Sequence, residues 1–189
     1  MRTEHRAIGI ICAAAMIGCS PESSGRLTSP ESSPERAATL SVGNTVVARV
    51  NTGINFTVPP EVFGAEVGNV LTVNGRKLAD GSVNGRFNYH QTFLGETFTF
   101  VGRVTCLNIY DGNRAKVGGV IENSNDPVFG PGVFIWWQNI DNGEGANAPA
   151  DQSTISGFGD EAANEAFCDS PALPRFGPHE VQNGNIQVN

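Results

Sequence analysis

Along residues 96–102, ETFTFVG, apolar and polar side chains alternate, so that Phe98 and Phe100 share one face and Thr97 and Thr99 the other. A period of two belongs to a β-strand with one face buried. Similar runs rich in Val, Ile, Thr and Phe, separated by Gly, Asn and Asp, predict strands at 45–50, 69–73, 83–89, 96–101, 103–110, 114–122, 132–140 and 185–188. In YDGNR, Asp111-Gly112-Asn113 accepts positive φ and joins two of these runs as a hairpin. Gly118-Gly119, in KVGGVIE, reads as a strand kink or bulge and not as a phosphate cradle. The spacing predicts an all-β fold, a single antiparallel barrel or sandwich of roughly 7–9 strands.

One run breaks the alternation. GVFIWWQNI, 132–140, is apolar at both parities, so it is either covered on both faces or lines a ligand cavity. Neighbouring side chains of a strand point to opposite faces, so Trp136 and Trp137 must part, one into the core and the other outside it or into a pocket. Phe87, Phe98, Phe100 and Phe134 are candidates for the interior, and Trp136, Trp137 and His90 for contact with a ligand.

The pattern changes at the N-terminus. Arg2 and Arg6 precede an apolar segment from Ala7 to Ile17, and Gly18 precedes Cys19, which together read as an export signal over 1–18. The apolar run is too short to cross a bilayer comfortably as a permanent helix. Met16-Ile17-Gly18-Cys19 resembles the lipobox of bacterial lipoproteins, in which the Cys is lipidated and becomes the mature N-terminus; an ordinary cleaved signal is the alternative. The resemblance implies a membrane anchor through Cys19, and Ser20, in place of an inner-membrane retention Asp, favours the outer membrane or cell surface. Residues 19–38 repeat SPESS and cannot bury enough apolar area to offset ordering entropy, so they read as a disordered tether spanning roughly 25 Å. Residues 39–189 remain for one β-rich extracytoplasmic domain.

Composition and charge narrow the function. The chain of 189 residues carries a net charge of −7 and clusters no Lys or Arg, which argues against nucleic acid as a partner. With Cys12 in the signal and Cys19 lipidated, Cys106 and Cys168 are most simply one disulfide in an oxidising compartment, the alternative being two separate thiols. His90 and His179 stand in no pattern resembling a nucleophile elbow, and the sequence has no phosphate-binding loop, dinucleotide fingerprint or HExxH.

The loop DNGEGANAPAD, 141–151, follows the Trp-bearing strand. Asp141, Asn142, Glu144 and Asp151 could supply several oxygens to calcium, although the order is not that of an EF-hand. Alternatively Asp141-Asn142-Gly143 is a turn whose Asp caps backbone amides, or the loop contacts a ligand or partner.

Four segments, DGSVNGRFNY, GRVTCLNIYDGNRAKVGGVI, DNGEGANAPAD and GNIQV, together resemble a family of exported bacterial proteins of unknown function that share one β-rich domain. The resemblance covers most of residues 69–188. In that family the DGS hairpin, the VTCL strand and the DNGEG loop recur in this order, often with a second Cys before the last strand, and Cys106 and Cys168 occupy those places here. It implies a single secreted β-domain and no particular activity. The reading is therefore a monomeric, lipid-anchored module that binds a small ligand, a glycan or an envelope protein without catalysis. A calcium-stabilised interaction module and an envelope hydrolase or isomerase are the alternatives; calcium is the only cofactor considered.

Overall fold

The computed structural model describes residues 44–145 and 147–189; the signal segment 1–18, Cys19 and the tether 19–38 lie outside the described residues. In chain order the elements are β1 (Val46–Val58), α1 (Pro60–Phe63), β2 (Val67–Leu78), β3 (Val83–Phe93), β4 (Glu96–Tyr110), β5 (Arg114–Ser124), β6 (Phe134–Ile140), β7 (Gln152–Ser153), β8 (Gly157–Gly159), α2 (Glu161–Asp169) and β9 (His179–Val188). Among the described residues no helix is long and apolar enough to cross a membrane.

Strands β1 to β5 form an antiparallel meander. β6 pairs with β5 along one edge, while its other edge is shared between β7 and β8. β7 pairs with β9 and β9 with β1, so the sheet closes into a ring. Closure leaves few unpaired strand edges, and open edges invite pairing with other chains.

Inside the ring the period of two holds strand by strand. Val50, Ile54 and Phe56 of β1, Leu71 and Val73 of β2, Phe87 and Tyr89 of β3 and Ile135 and Trp137 of β6 are buried together. Each such side chain contributes about 1.5–3 kcal/mol on leaving water. The rings are the largest pieces: Trp137 meets Phe87 edge-on at 5.5 Å and stacks on Tyr89 at 6.4 Å. One polar bridge crosses this interior, where Asn139 donates to the Thr52 hydroxyl at 3.0 Å and accepts from the Ser153 hydroxyl at 2.9 Å. It ties β1, β6 and β7 at the point where the ring closes.

Two expected strands, 96–101 and 103–110, are one. Gly102 does not break β4; a Cβ there would collide with the Phe87 ring and the Val120 carbonyl, so the position is kept bare for packing. The bulge foreseen near Gly118-Gly119 lies on the partner strand, because Val104 pairs with Gly119 and Cys106 with Gly118, leaving Thr105 unpaired. The Asp111-Gly112 turn has φ of 54° and 80° and joins β4 to β5 as expected. Phe134 departs from its expected interior place: it alternates with buried Ile135 and faces outward.

The doubly apolar β6 is covered on both faces. Its outer face lies beneath α2, a helix opened by Asp160, whose carboxylate accepts the Ala163 N–H at 2.9 Å. The disulfide between Cys106 and Cys168, with Cα atoms 6.3 Å apart, fastens the helix to β4. Its C-terminal carbonyls are taken up from the sheet. Lys116 Nζ donates to Phe167 O at 3.1 Å, and Tyr110 and Asn108 donate to Cys168 O at 2.6 and 3.1 Å.

Candidate ligand-binding site

The residues singled out by sequence do not converge. Trp137 is buried within the ring, whereas Trp136 faces outward and stacks on Phe167 of α2 at 6.1 Å. His90 alternates with Tyr89 and lies on the outer face of β3, its Nδ1 3.0 Å from the Thr99 hydroxyl. His179 opens β9, where its ring stacks on Phe56 at 6.4 Å and burial lowers its pKa. The opposed orientation of the two Trp residues agrees with expectation: Trp137 points into the ring, while Trp136 and His90 lie on its outside, on strands β6 and β3 that do not pair.

The acidic loop is a capping device. Asp141 accepts the N–H groups of Gly143 and Val188, each at 2.9 Å. Asp151, which is buried, accepts those of Asn142 at 2.9 Å and Ile186 at 2.8 Å. Asn142 donates to Ala150 O, and Glu144 accepts from the Asn185 side chain. Every carboxylate oxygen of the two Asp residues thus accepts a backbone N–H. Among the described residues no group of three or more His, Cys, Asp and Glu is arranged to hold a metal. Asp141, Asn142, Glu144 and Asp151, the residues also weighed for calcium, thus make the bonds expected of a structural turn, and these bonds fasten the last strand.

A concave site does form elsewhere, at the end of the ring that carries α1. There β9 reaches β1 only as far as Phe56, and β8 is hydrogen-bonded to β6 alone. A cavity of about 260 Å³ opens at this gap, between Phe63, Val67, Gln91, Phe93, Ile155, Ser156, Phe158 and Phe176. A second, of about 250 Å³, lies beside it and shares Ile155, Ser156 and Phe176; Trp136, Phe167, Pro174 and Arg175 contribute to its wall.

The walls are aromatic and held from behind. Phe158 stacks on Phe129 at 4.2 Å and tilts against Phe100 at 5.1 Å, so the core fixes it. Phe176, from the Pro-rich segment before β9, rests on Phe63 at 5.3 Å and is partly open to solvent. Polar groups gather at one side. The Tyr89 hydroxyl donates to Asn69 Oδ1, and Gln91 Nε2 lies 3.4 Å from the same oxygen. Ser156 sits beside Tyr89, but its hydroxyl is buried without a hydrogen-bond partner. Burial pushes the Tyr89 pKa up to about 12, an effect its Ser156 and Gln91 neighbours oppose, so the phenol stays a neutral donor at physiological pH.

Of the residues lining the two cavities, only Trp136 is among those singled out from sequence. The lining comes from α1, β2, β3, β6, β8, α2, the link between β7 and β8, and the 170–178 segment, and no local motif unites it; only the count of 11 Phe hinted at more rings than one core requires. The chain matches no family model, and no curated protein or solved structure matches it.

Proposed function

We propose that this chain is an envelope lipoprotein of the exported β-domain family its segments resemble, and that it holds a small apolar ligand at the end of the ring without transforming it. The aromatic cavity of about 260 Å³ carries this reading. Ligand sites are concave, mainly apolar, and equipped with a few convergent polar groups, as the Phe walls and the Gln91 and Ser156 side are. The filled interior of the ring leaves its mouth as the place for a ligand. Anchorage rests on Met16-Ile17-Gly18-Cys19, and a diacyl or triacyl Cys19 would hold the domain at the membrane essentially permanently.

The test uses the full chain and the neutral fluorophore N-phenyl-1-naphthylamine. Saturable enhancement is expected, lost at least tenfold in affinity in Ser156→Leu, which fills the wall shared by both cavities. Enhancement identical in the variant would remove this site from consideration. Metabolic labelling with palmitate, lost in Cys19→Ala, tests the anchor separately.

A glycan reading draws on a different observation. On the outer face of β9, β1 and β2, a groove of about 390 Å³ surrounds Gly53 and is lined by Asn51, Thr72, Asn74, Asn185 and Gln187. Carboxamides and hydroxyls at strand spacing can pair with vicinal sugar hydroxyls. Binding to a glycan array that Asn51→Ala and Gln187→Ala both weaken would support it, and an array without signal would exclude it.

A further inference from the structure

The walls and the polar side of the cavity at the end of the ring differ in what they ask of an occupant. Phe63, Phe93, Phe158 and Phe176 present aromatic rings to it, and ring pairs favour offset-stacked or edge-on contacts that a saturated molecule cannot reproduce. The volume of about 260 Å³ exceeds the roughly 150 Å³ cavity known to hold one benzene, which points to about two fused rings. Ser156 lines this cavity with a buried hydroxyl that has no partner among the described residues. The Tyr89 hydroxyl beside it donates to Asn69 Oδ1. Gln91, on the same side, makes its contacts to Asn69 and Tyr89 through Nε2, leaving Oε1 free to accept. A buried hydroxyl able to donate and accept, next to a free carbonyl, matches a group that does both at once.

We infer that the ligand of this site is a planar phenol of about two fused rings, its rings between the Phe side chains and its hydroxyl paired with Ser156 and Gln91. This rests on the reading of the cavity as the ligand site and adds the chemical class. The phenol donates to Gln91 Oε1 and accepts from the Ser156 hydroxyl, while a molecule without it leaves the Ser156 hydroxyl buried and unpaired, the situation in which sites discriminate most.

The experiment compares three probes on the full chain by calorimetry: 2-naphthol, naphthalene and decahydro-2-naphthol. The expected result is 2-naphthol bound about thirtyfold more tightly than naphthalene, the net worth of two hydrogen bonds at about fivefold each, and more tightly than its saturated analogue. Ser156→Ala and Gln91→Leu, two variants in case one fails to fold, should each lower the ratio of 2-naphthol to naphthalene to about fivefold while naphthalene affinity is kept. Equal binding of 2-naphthol and naphthalene by the unaltered chain, or a ratio that survives both substitutions, overturns the phenol assignment and leaves the apolar site standing. Equal binding of decahydro-2-naphthol overturns the aromatic part. If none of the three binds, the site itself is refuted together with the inference.

Discussion

Asp151 accepts the backbone N–H of Ile186 at 2.8 Å, thirty-five positions further along the chain, and thereby joins the acidic loop to the strand that closes the ring. Its other oxygen holds the Asn142 N–H. Asp151→Ala leaves a buried amide of β9 without an acceptor. The expected cost is about 3 kcal/mol, which for a domain of this size lowers the melting midpoint by roughly 6–12 °C. Chemical and thermal unfolding of the variant beside the parent measure it, and an unchanged midpoint would mean that the capping bonds contribute nothing to closure.

The same geometry predicts insensitivity to calcium. Melting curves in EDTA and in millimolar calcium should coincide, whereas a site filled at a hundred times its dissociation constant would raise the midpoint by roughly 5–10 °C. Such a rise, abolished by Asp141→Ala, would restore the cation reading of the loop.

Leu94 and Gly95 make the two-residue turn between β3 and β4, with φ of 52° and 85°. A positive φ at both positions suits Asn-Gly, and Leu is a poor occupant of the first; its side chain is exposed and has no packing to lose. Leu94→Asn should therefore stabilise by about 0.5–1 kcal/mol, read as a shift in the denaturant midpoint with an unchanged slope.

Lys116 is 2% exposed, and its Nζ lies 4.4 Å from the centre of the Phe167 ring besides donating to the Phe167 carbonyl. Burial, aided by the Arg114 charge, lowers its pKa from the ordinary 10.5. The unfolded chain then holds this proton more firmly than the folded one, so stability should rise as pH climbs from the depressed value towards 10.5. Lys116→Met should remove that contribution to the slope and cost less at pH 7 than Lys116→Ala, which adds a cavity and should cost about 2–4 kcal/mol. Unfolding curves of the three proteins from pH 7 to pH 10 distinguish the outcomes.

His179 acts at the other side of neutrality. Burial against Phe56 lowers its pKa from 6.5, so its protonation opposes folding: the penalty is absent above 6.5, sets in as pH falls below it and is complete below the depressed value. His179→Phe should flatten the melting midpoint between pH 7.5 and pH 5.5 relative to the parent. A parallel pair of curves would show that the imidazole does not titrate in that window.

What could be read along the chain is what depends on near neighbours. The alternation in ETFTFVG located part of β4, the Asp111-Gly112 turn its hairpin, and the adjacency of Trp136 and Trp137 their opposite faces. Even α2 has a local trace, Asp160 before a run of Glu and Ala. Strand ends were less legible: β1 and β9 run well beyond the expected 45–50 and 185–188, because Asn and Gly within them are paired by neighbours that no local window contains.

The sequence by itself determined an all-β chain and pointed to Cys106 and Cys168 as a pair, since side-chain periodicity is legible within a short stretch and few cysteines compete. Only the tertiary structure decided that the acids of 141–151 cap β9, that α2 covers β6, and that rings from separate segments surround one cavity. Those outcomes depend on which edges meet when the sheet closes. Closure is a long-range event: it sets Ser156 beside Tyr89 and Phe176 against Phe63, contacts between residues that no periodicity relates.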